Sequence, residues 1–515
     1  MPTIRLTQFD GISPGRSSGT ANTHALVQGI LSDKEPGLAI PAPGEADLAT
    51  SFGTIAPLFF VASSTDAGIL AINSGDGAGT IQLMRSTDFA TFANISGASV
   101  ASTVAQGMGI ISTAGGDNIF IADAATKIHR YEATGDVWTA DWQGTNGGPM
   151  HLFSKNGKLY VINLGGNSLH SIDSTPTFVA AAVSFSRGEG GYAISEHGNL
   201  VAAGTFSVVK GNQYALVLWD TFTGTINDRI IIPIQHVGTG ITNGDISLAF
   251  LNHKGKLWIF AGPFLRLFVY AGGSSLIDTK WQLPKHFFTS LNDNVGVQIT
   301  QAMVANYMNG VVFGMKIPKS WTTGNPTPDS FGLCRLESDE QGMPRLDTFK
   351  VLYDLVTDPT STSHGVRALL AWNDNLFMSY LDNTNGSTQK VSRTTWATNP
   401  GTGIIETQIF SAPNVERPDQ HMAIRRVWIE CDPLPASTSI AIAYRTERST
   451  GSYSSAFLTV NTTDATYGAI DFPSATNVTA AVIREVQFKI TLTSSGATSP
   501  KLRAFCFEYD IVNDG

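Results

Sequence analysis

The residues best typed for covalent chemistry are two serines near the start of the chain. The pattern Gly-x-Ser-x-Gly occurs twice in overlap, as GISPG around Ser13 and GRSSG around Ser17. A nucleophile elbow needs a strand before the serine and a helix after it, so that a strained turn lifts Oγ clear of the sheet. Here the pattern sits among glycines and prolines, which favour a plain loop. There is no His-Glu-x-x-His and no P-loop, and GTGITNG (238–244) does not match a dinucleotide turn. DNTNGST, from Asp382, lacks the acidic spacing and distal Glu of a calcium loop and reads as a hairpin turn. The ten histidines form no cluster: His197 and His253 stand beside expected turns, His129 and His170 on expected strands, and each reads as a core or solvated residue.

Glycoside cleavage is the enzymatic chemistry that deserves weighing. It requires two carboxylates at a defined separation, or a Tyr/Glu nucleophile with arginines to hold a sugar carboxylate. RSTDFATF (85–92) is superficially like a sialidase Asp-box turn, but it lacks the Gly after the Asp, has Phe92 for the usual Trp, and is not repeated. Asp173 and Asp220 follow apolar strands without an evident partner. Trp138, Trp142, Trp258, Trp281 and Trp372 could stack on sugar rings, yet aromatic residues in sheet proteins more often fill the core. Cys334, Cys431 and Cys506 are odd in number and far apart, which gives neither a disulfide framework nor a zinc site. The sequence therefore nominates no catalytic, cofactor-binding or metal-binding residue and no cofactor, and the expectation is a non-enzyme.

The elements that would carry such residues are strands. The chain has 515 residues, 42% hydrophobic and only 15% charged, with 51 Gly. That length exceeds a usual single core and points to several domains or to repeated units. The net charge of −9 is dispersed and argues against a broad basic nucleic-acid surface. No apolar run is long enough for a membrane helix, the start does not resemble a signal peptide, and the Asn-x-Ser/Thr triplets at Asn94, Asn385, Asn461 and Asn477 read as chance.

One hairpin returns along the chain. GKLYVINLGGNSLHSID, from Gly157, has counterparts in DNIFIADAATKIHRYE, GNLVAAGTFSVVKGNQYALVLWD, GKLWIFAGPFLRLFVY, NGVVFGMKIPKS and DNLFMSYLD, with a weaker one at Ala56. A third apolar run precedes six of them, as in MHLFSK, YAISEH and SLAFLNH. Aligning Leu58, Ile119, Leu159, Leu200, Leu257, Val311 and Leu376 gives steps of 61, 40, 41, 57, 54 and 65 residues. A unit of roughly 40 to 50 residues with three or four strands is that of a β-propeller blade. The expectation is an all-β chain: an extended N-terminal arm (1–45) punctuated by Gly, Pro and Ser, a β-propeller of about seven blades (46–400), and a separate C-terminal β-sandwich of jelly-roll-like type (401–515), where apolar and polar residues alternate.

With those motifs placed, the chain resembles tailed-bacteriophage virion proteins of the tail nozzle, hub or tail-tip type. IRLTQFDGISPG and ALVQGILSDKEPGLAIPAPG resemble their extended N-terminal segment, and RRVWIECDPLPASTSIAIAYRTE, REVQFKITLTS and KLRAFCFEYDI are similar to their terminal β-module. The resemblance implies a structural tail component of the virion, made in the host cytoplasm. It would be a homo-oligomeric ring that contacts other tail proteins and lets DNA pass without sequence-specific binding, with the arm and C-terminal module making subunit contacts. The rival expectations are a carbohydrate-binding or glycoside-hydrolysing propeller that acts as a receptor-binding tail component, and a cellular propeller scaffold.

Overall fold

The computed structural model describes residues 2–9, 11–12, 23–31, 38–48, 60–62, 69–74, 81–88, 91–100, 105–113, 115–123, 126–144, 149–235, 246–262, 264–284, 299–317, 330–356, 366–382, 388–395, 401–411, 420–446, 453–472 and 482–513. They are almost wholly β. Seven four-stranded antiparallel meanders follow one another, with first strands Phe60–Ala62, Ala105–Thr113, Pro149–Lys155, Gly190–His197, Leu248–His253, Val304–Tyr307 and Val366–Trp372. Each first strand packs against the first strand of the next meander, and the seventh returns to the first. A closed ring of sheets with these strands innermost is a β-propeller. Such packing buries both faces of a blade, so second strands such as Lys256–Ala261 are apolar almost throughout and buried.

The hairpin between first and second strands explains why the repeat is legible. Its loop is two residues long at 156–157, 198–199, 254–255, 308–309 and 373–374, set by the pairs Lys155↔Lys158, His197↔Leu200, His253↔Lys256, Tyr307↔Gly310 and Trp372↔Asn375. Both central residues are left-handed in four of these, for instance Asn156 and Gly157 at φ 51° and 70°. That is the turn whose twist matches the strands, and Asn, Asp and Gly tolerate it best.

Two features of the fold depart from the sequence expectation. The C-terminal module is a two-sheet sandwich, but residues 401–515 do not complete it. Its eight main strands in chain order are Thr3–Leu6, Gly403–Glu406, Gln420–Cys431, Ser439–Thr446, Leu458–Val460, Tyr467–Asp471, Glu485–Thr493 and Leu502–Asn513. First pairs with eighth, second with seventh, third with sixth and fourth with fifth, all antiparallel. The first strand thus comes from the opposite end of the chain, and the blades are inserted between it and the second.

The arm, expected to reach another subunit, is in its described part paired within its own chain. Leu26–Gln28 lies between Lys350–Val356 of the sixth meander and Gly403–Glu406 of the sandwich, which makes one ten-stranded sheet. Gly44–Asp47 is the outermost strand of the seventh meander, which has only three strands of its own. Gly29 sits at φ 63° between two arm strands, where an added Cβ would lie 2.7 Å from the Thr402 carbonyl. One apolar core runs through all these parts, from Leu6, Val27 and Ile30 to Trp258 and Phe313 of the blades and Phe488 and Phe507 of the sandwich.

Ile30 is fully buried in that core. Ile30→Ala should cost about 2–5 kcal/mol in urea unfolding. Val209→Ala, at a position 81% exposed, should stay within about 0.5 kcal/mol of the parent.

Candidate functional site

The two acids weighed in the sequence, Asp173 and Asp220, are taken up by turns. Asp173 Oδ1 accepts hydrogen bonds from the amides of Thr175 (3.0 Å) and Thr177 (2.9 Å), and Asp220 Oδ1 accepts one from the amide of Phe222 (2.8 Å). Those amides hold both carboxyls below the ordinary range, which suits turn anchors and not proton donors. In the Asp-box-like stretch, Asp88 accepts from Thr91 N (2.8 Å) and Ser86 Oγ (3.1 Å), while Phe92 is buried in the core. The buried Glu337 contacts Lys350 Nζ at 2.6 Å and Arg335 Nη1 at 3.2 Å, an ion cluster within the sixth meander.

The histidines are structural. His129 and His170 occupy corresponding places on the third strands of meanders two and three. Each Nδ1 accepts an amide of the outer strand, from Asp141 (2.9 Å) and Ala181 (3.1 Å), at a left-handed bulge. Each ring stacks on the aromatic residue three positions before the bulge, Trp138 or Phe178. His253 bridges Asn306 Oδ1 and Ser338 Oγ, both at 2.7 Å, and His197 packs edge-on to Tyr270.

Of the tryptophans, Trp258 is fully buried and donates to the Gly342 carbonyl (2.9 Å), and Trp281 sits among Phe260, Phe313 and Phe349. Trp142 packs edge-on to Phe120. Trp372 borders a cleft between meanders six and seven. All three cysteines are free and buried, and burial raises their thiols, those of Cys431 and Cys506 to about 11. Ser13, Ser17 and 238–244 lie outside the described residues, as does the 383–387 turn, although its flanking residues Asp382 and Thr388 pair as in a hairpin. Among the described residues no group of three or more His, Cys, Asp or Glu could hold a metal, and no helix is long and apolar enough to cross a membrane.

What the structure does assemble is a ladder of side chains at the first-turn end of the blades. The position before the last residue of each first strand is Ser154, Glu196, Asn252, Asn306 and Ala371 in meanders three to seven. Ser154 Oγ accepts the Ile110 amide (3.3 Å), and Lys155 Nζ donates to Glu196 (2.7 Å). Asn252 Nδ2 donates to the Glu196 carbonyl (3.2 Å), and Asn306 Nδ2 to the Asn252 carbonyl (2.8 Å). These bonds clasp consecutive blades. Sequence reasoning missed them, although the aligned endings SK, EH, NH and NY carried the signal. The next residue in the series is Ala371, and beside it a cleft of about 400 Å³ opens between meanders six and seven.

A ring of four-stranded antiparallel sheets with no assembled catalytic constellation among the described residues defines the class: an all-β, β-propeller protein. No family model matches the sequence, and no curated protein matches it. Among solved structures, the crystal structure of the RRP9 WD40 repeats aligns at 11% identity over 69% of this chain and 99% of that one, with a TM-score of 0.46.

Two buried histidines make stability depend on pH. Burial lowers His24 and His151 to about 4, against weaker opposing bonds with the backbone of Gln8 and Tyr192. Both stay neutral when folded and take up protons when unfolded, so stability should fall as pH drops from about 6.5 towards 4, by about 3 kcal/mol for each group. Urea midpoints between pH 7 and 5 should show this, and His151→Gln should flatten the slope by about one proton.

Proposed function

We propose that this protein is a non-enzymatic structural subunit of a bacteriophage tail. It would form part of a homo-oligomeric ring of nozzle, hub or tail-tip type that connects tail parts or guides DNA. In this reading the seven meanders are a seven-bladed propeller, and the eight-stranded sandwich, with its folded-ribbon pairing, is a jelly roll, an architecture common in viral shells. The resemblance of the N-terminal segment and the C-terminal strands to tail proteins supplies the biological setting.

The observation that carries the reading is where apolar surface is left uncovered. Eight of the twelve large exposed hydrophobics among the described residues fall between Val179 and Ile277, on outer strands and turns of meanders three to five. They include Val209 at 81% and Phe222 at 78% exposure. The outer strand Phe178–Ser184, FVAAAVS, bears no charge and has Val179, Ala180 and Ala181 exposed at the sheet edge. Apolar surface concentrated on one arc of a ring is the mark of a protein contact. A contact of one arc with a different surface of the next copy is heterologous, and such contacts make a ring when their rotation closes.

Light scattering of the purified chain, alone and with tail proteins from disrupted particles, should give a ring of several copies. Val209→Glu combined with Phe222→Glu should reduce it to monomers while leaving the urea midpoint nearly unchanged. A chain that stays monomeric under both conditions, or a ring indifferent to both charges, would refute the assignment.

A further inference from the structure

We propose that the apolar arc docks on the outer strand of meander two in the next copy of this chain. The inference rests on the ring reading above and adds to it the receiving surface.

The arc is basic at the end of the blades opposite the first turns. Val208 and Val209 lie there on the loop between the second and third strands of meander four, and Phe264 on the matching loop of meander five, all exposed. Buried Glu189 is held by both Lys210 (3.0 Å) and Arg229, and Asp278 by both Lys280 (2.7 Å) and Arg266. Each trio has two bases to one acid, and the exposed Arg187 adds a further positive charge. Val209 lies against Gly188, where an added Cβ would come within 3.1 Å of it, so Arg187 and the valines share one patch.

Meander two offers the complement. Its last turn and outer strand, residues 133–144, contain Asp136 and Asp141 and no Lys or Arg. The Asp141 side chain is 59% exposed and Val137 is 47% exposed, with Trp138 and Trp142 half-buried along the same strand. Glu132 is matched by Arg130 at 2.6 Å, and Lys127 stands at the far end, near Gly144. The outer strands of the arc itself are not acidic: Phe178–Ser184 bears no charge, and Thr225–Gln235 has Asp228 beside Arg229. Gly44–Asp47 of meander seven is acidic, but its one apolar side chain, Ala46, is half-buried.

Apolar residues flanked by carboxylates thus face apolar residues flanked by cations, which favours one register over others. Two basic arcs repel each other, and this disfavours a two-fold pair made through the arc alone. Meanders three and four separate meander two from meander five, so one chain carries the giving and receiving surfaces well apart. A contact passed head to tail from copy to copy needs that separation.

Charge reversal in the full chain tests this, under whichever of the two light-scattering conditions the parent assembles. Arg187→Glu and Asp141→Lys should each raise the concentration for half-assembly by roughly tenfold. Their urea midpoints should stay near the parent's. Lysine suits the left-handed backbone at 141, as Lys254 and Lys280 do at φ 48° and 62°. Should that variant fail to fold, Val137→Lys replaces it. The two single variants mixed in equal amounts, or both changes in one chain, should regain assembly, because glutamate then faces lysine. Single variants that assemble like the parent, or no recovery in either combination, would overturn the contact while the ring stands. So would an Arg187→Glu defect confined to binding of phosphatidylserine vesicles, which would mark the arc as lipid-facing. A parent that stays monomeric would refute the ring, and this contact with it.

Discussion

The edge of a β-sheet must be paired or covered, and two sheets in this chain arrive one strand short. The seventh meander has three strands between 366 and 395, and the sandwich has seven of its eight main strands between 403 and 513. Both deficits are met by the same N-terminal segment. Gly44–Asp47 completes the meander and Thr3–Leu6 pairs with Leu502–Asn513. Between them Leu26–Gln28 ties the sixth meander to the sandwich through the Gly29 amide on Val351 (2.9 Å) and the Ala25 amide on Glu406 (2.9 Å). Unpaired backbone groups are costly when buried, so these few residues govern whether either body is closed.

That arrangement bears on function. A propeller joined to a sandwich by a simple linker would swing; this one shares a sheet and an apolar core with it. A stiff block with uncovered apolar residues along one arc suits a part that transmits geometry between neighbours. Asp173 and Asp220 anchor turns, and the cleft beside Ala371 lies where the ladder of clasps breaks off.

Much of the propeller was legible because its signals are local. Two-residue turns with Asn, Asp or Gly precede the apolar second strands of meanders three to seven, and the copy at Asp374 announces itself as clearly as that at Gly157. The arm was harder. Its strands are two to four residues long, too short for any alternation to show, and Thr3 pairs with Glu508, a partner no local pattern can reveal. Proline and glycine in that stretch correctly indicate short elements and say nothing of where they dock. The cleft escaped for another reason: it is marked by an alanine, and a missing side chain leaves no motif. The histidines stood between: strand placement left His129 and His170 as core or solvated residues, and the structure buries both.

The interlocked block is tested most directly by native-state hydrogen exchange along a urea series. The amides to compare are Gly29 and Ile12 in the arm, Phe313 in the sixth meander and Phe488 in the sandwich. Interlocking predicts that all four exchange through one opening, with a common free energy and a common urea dependence. If Gly29 and Ile12 exchange through a low-energy opening while Phe313 and Phe488 stay protected, or if the sandwich opens apart from the blades, the arm is not the closure described here.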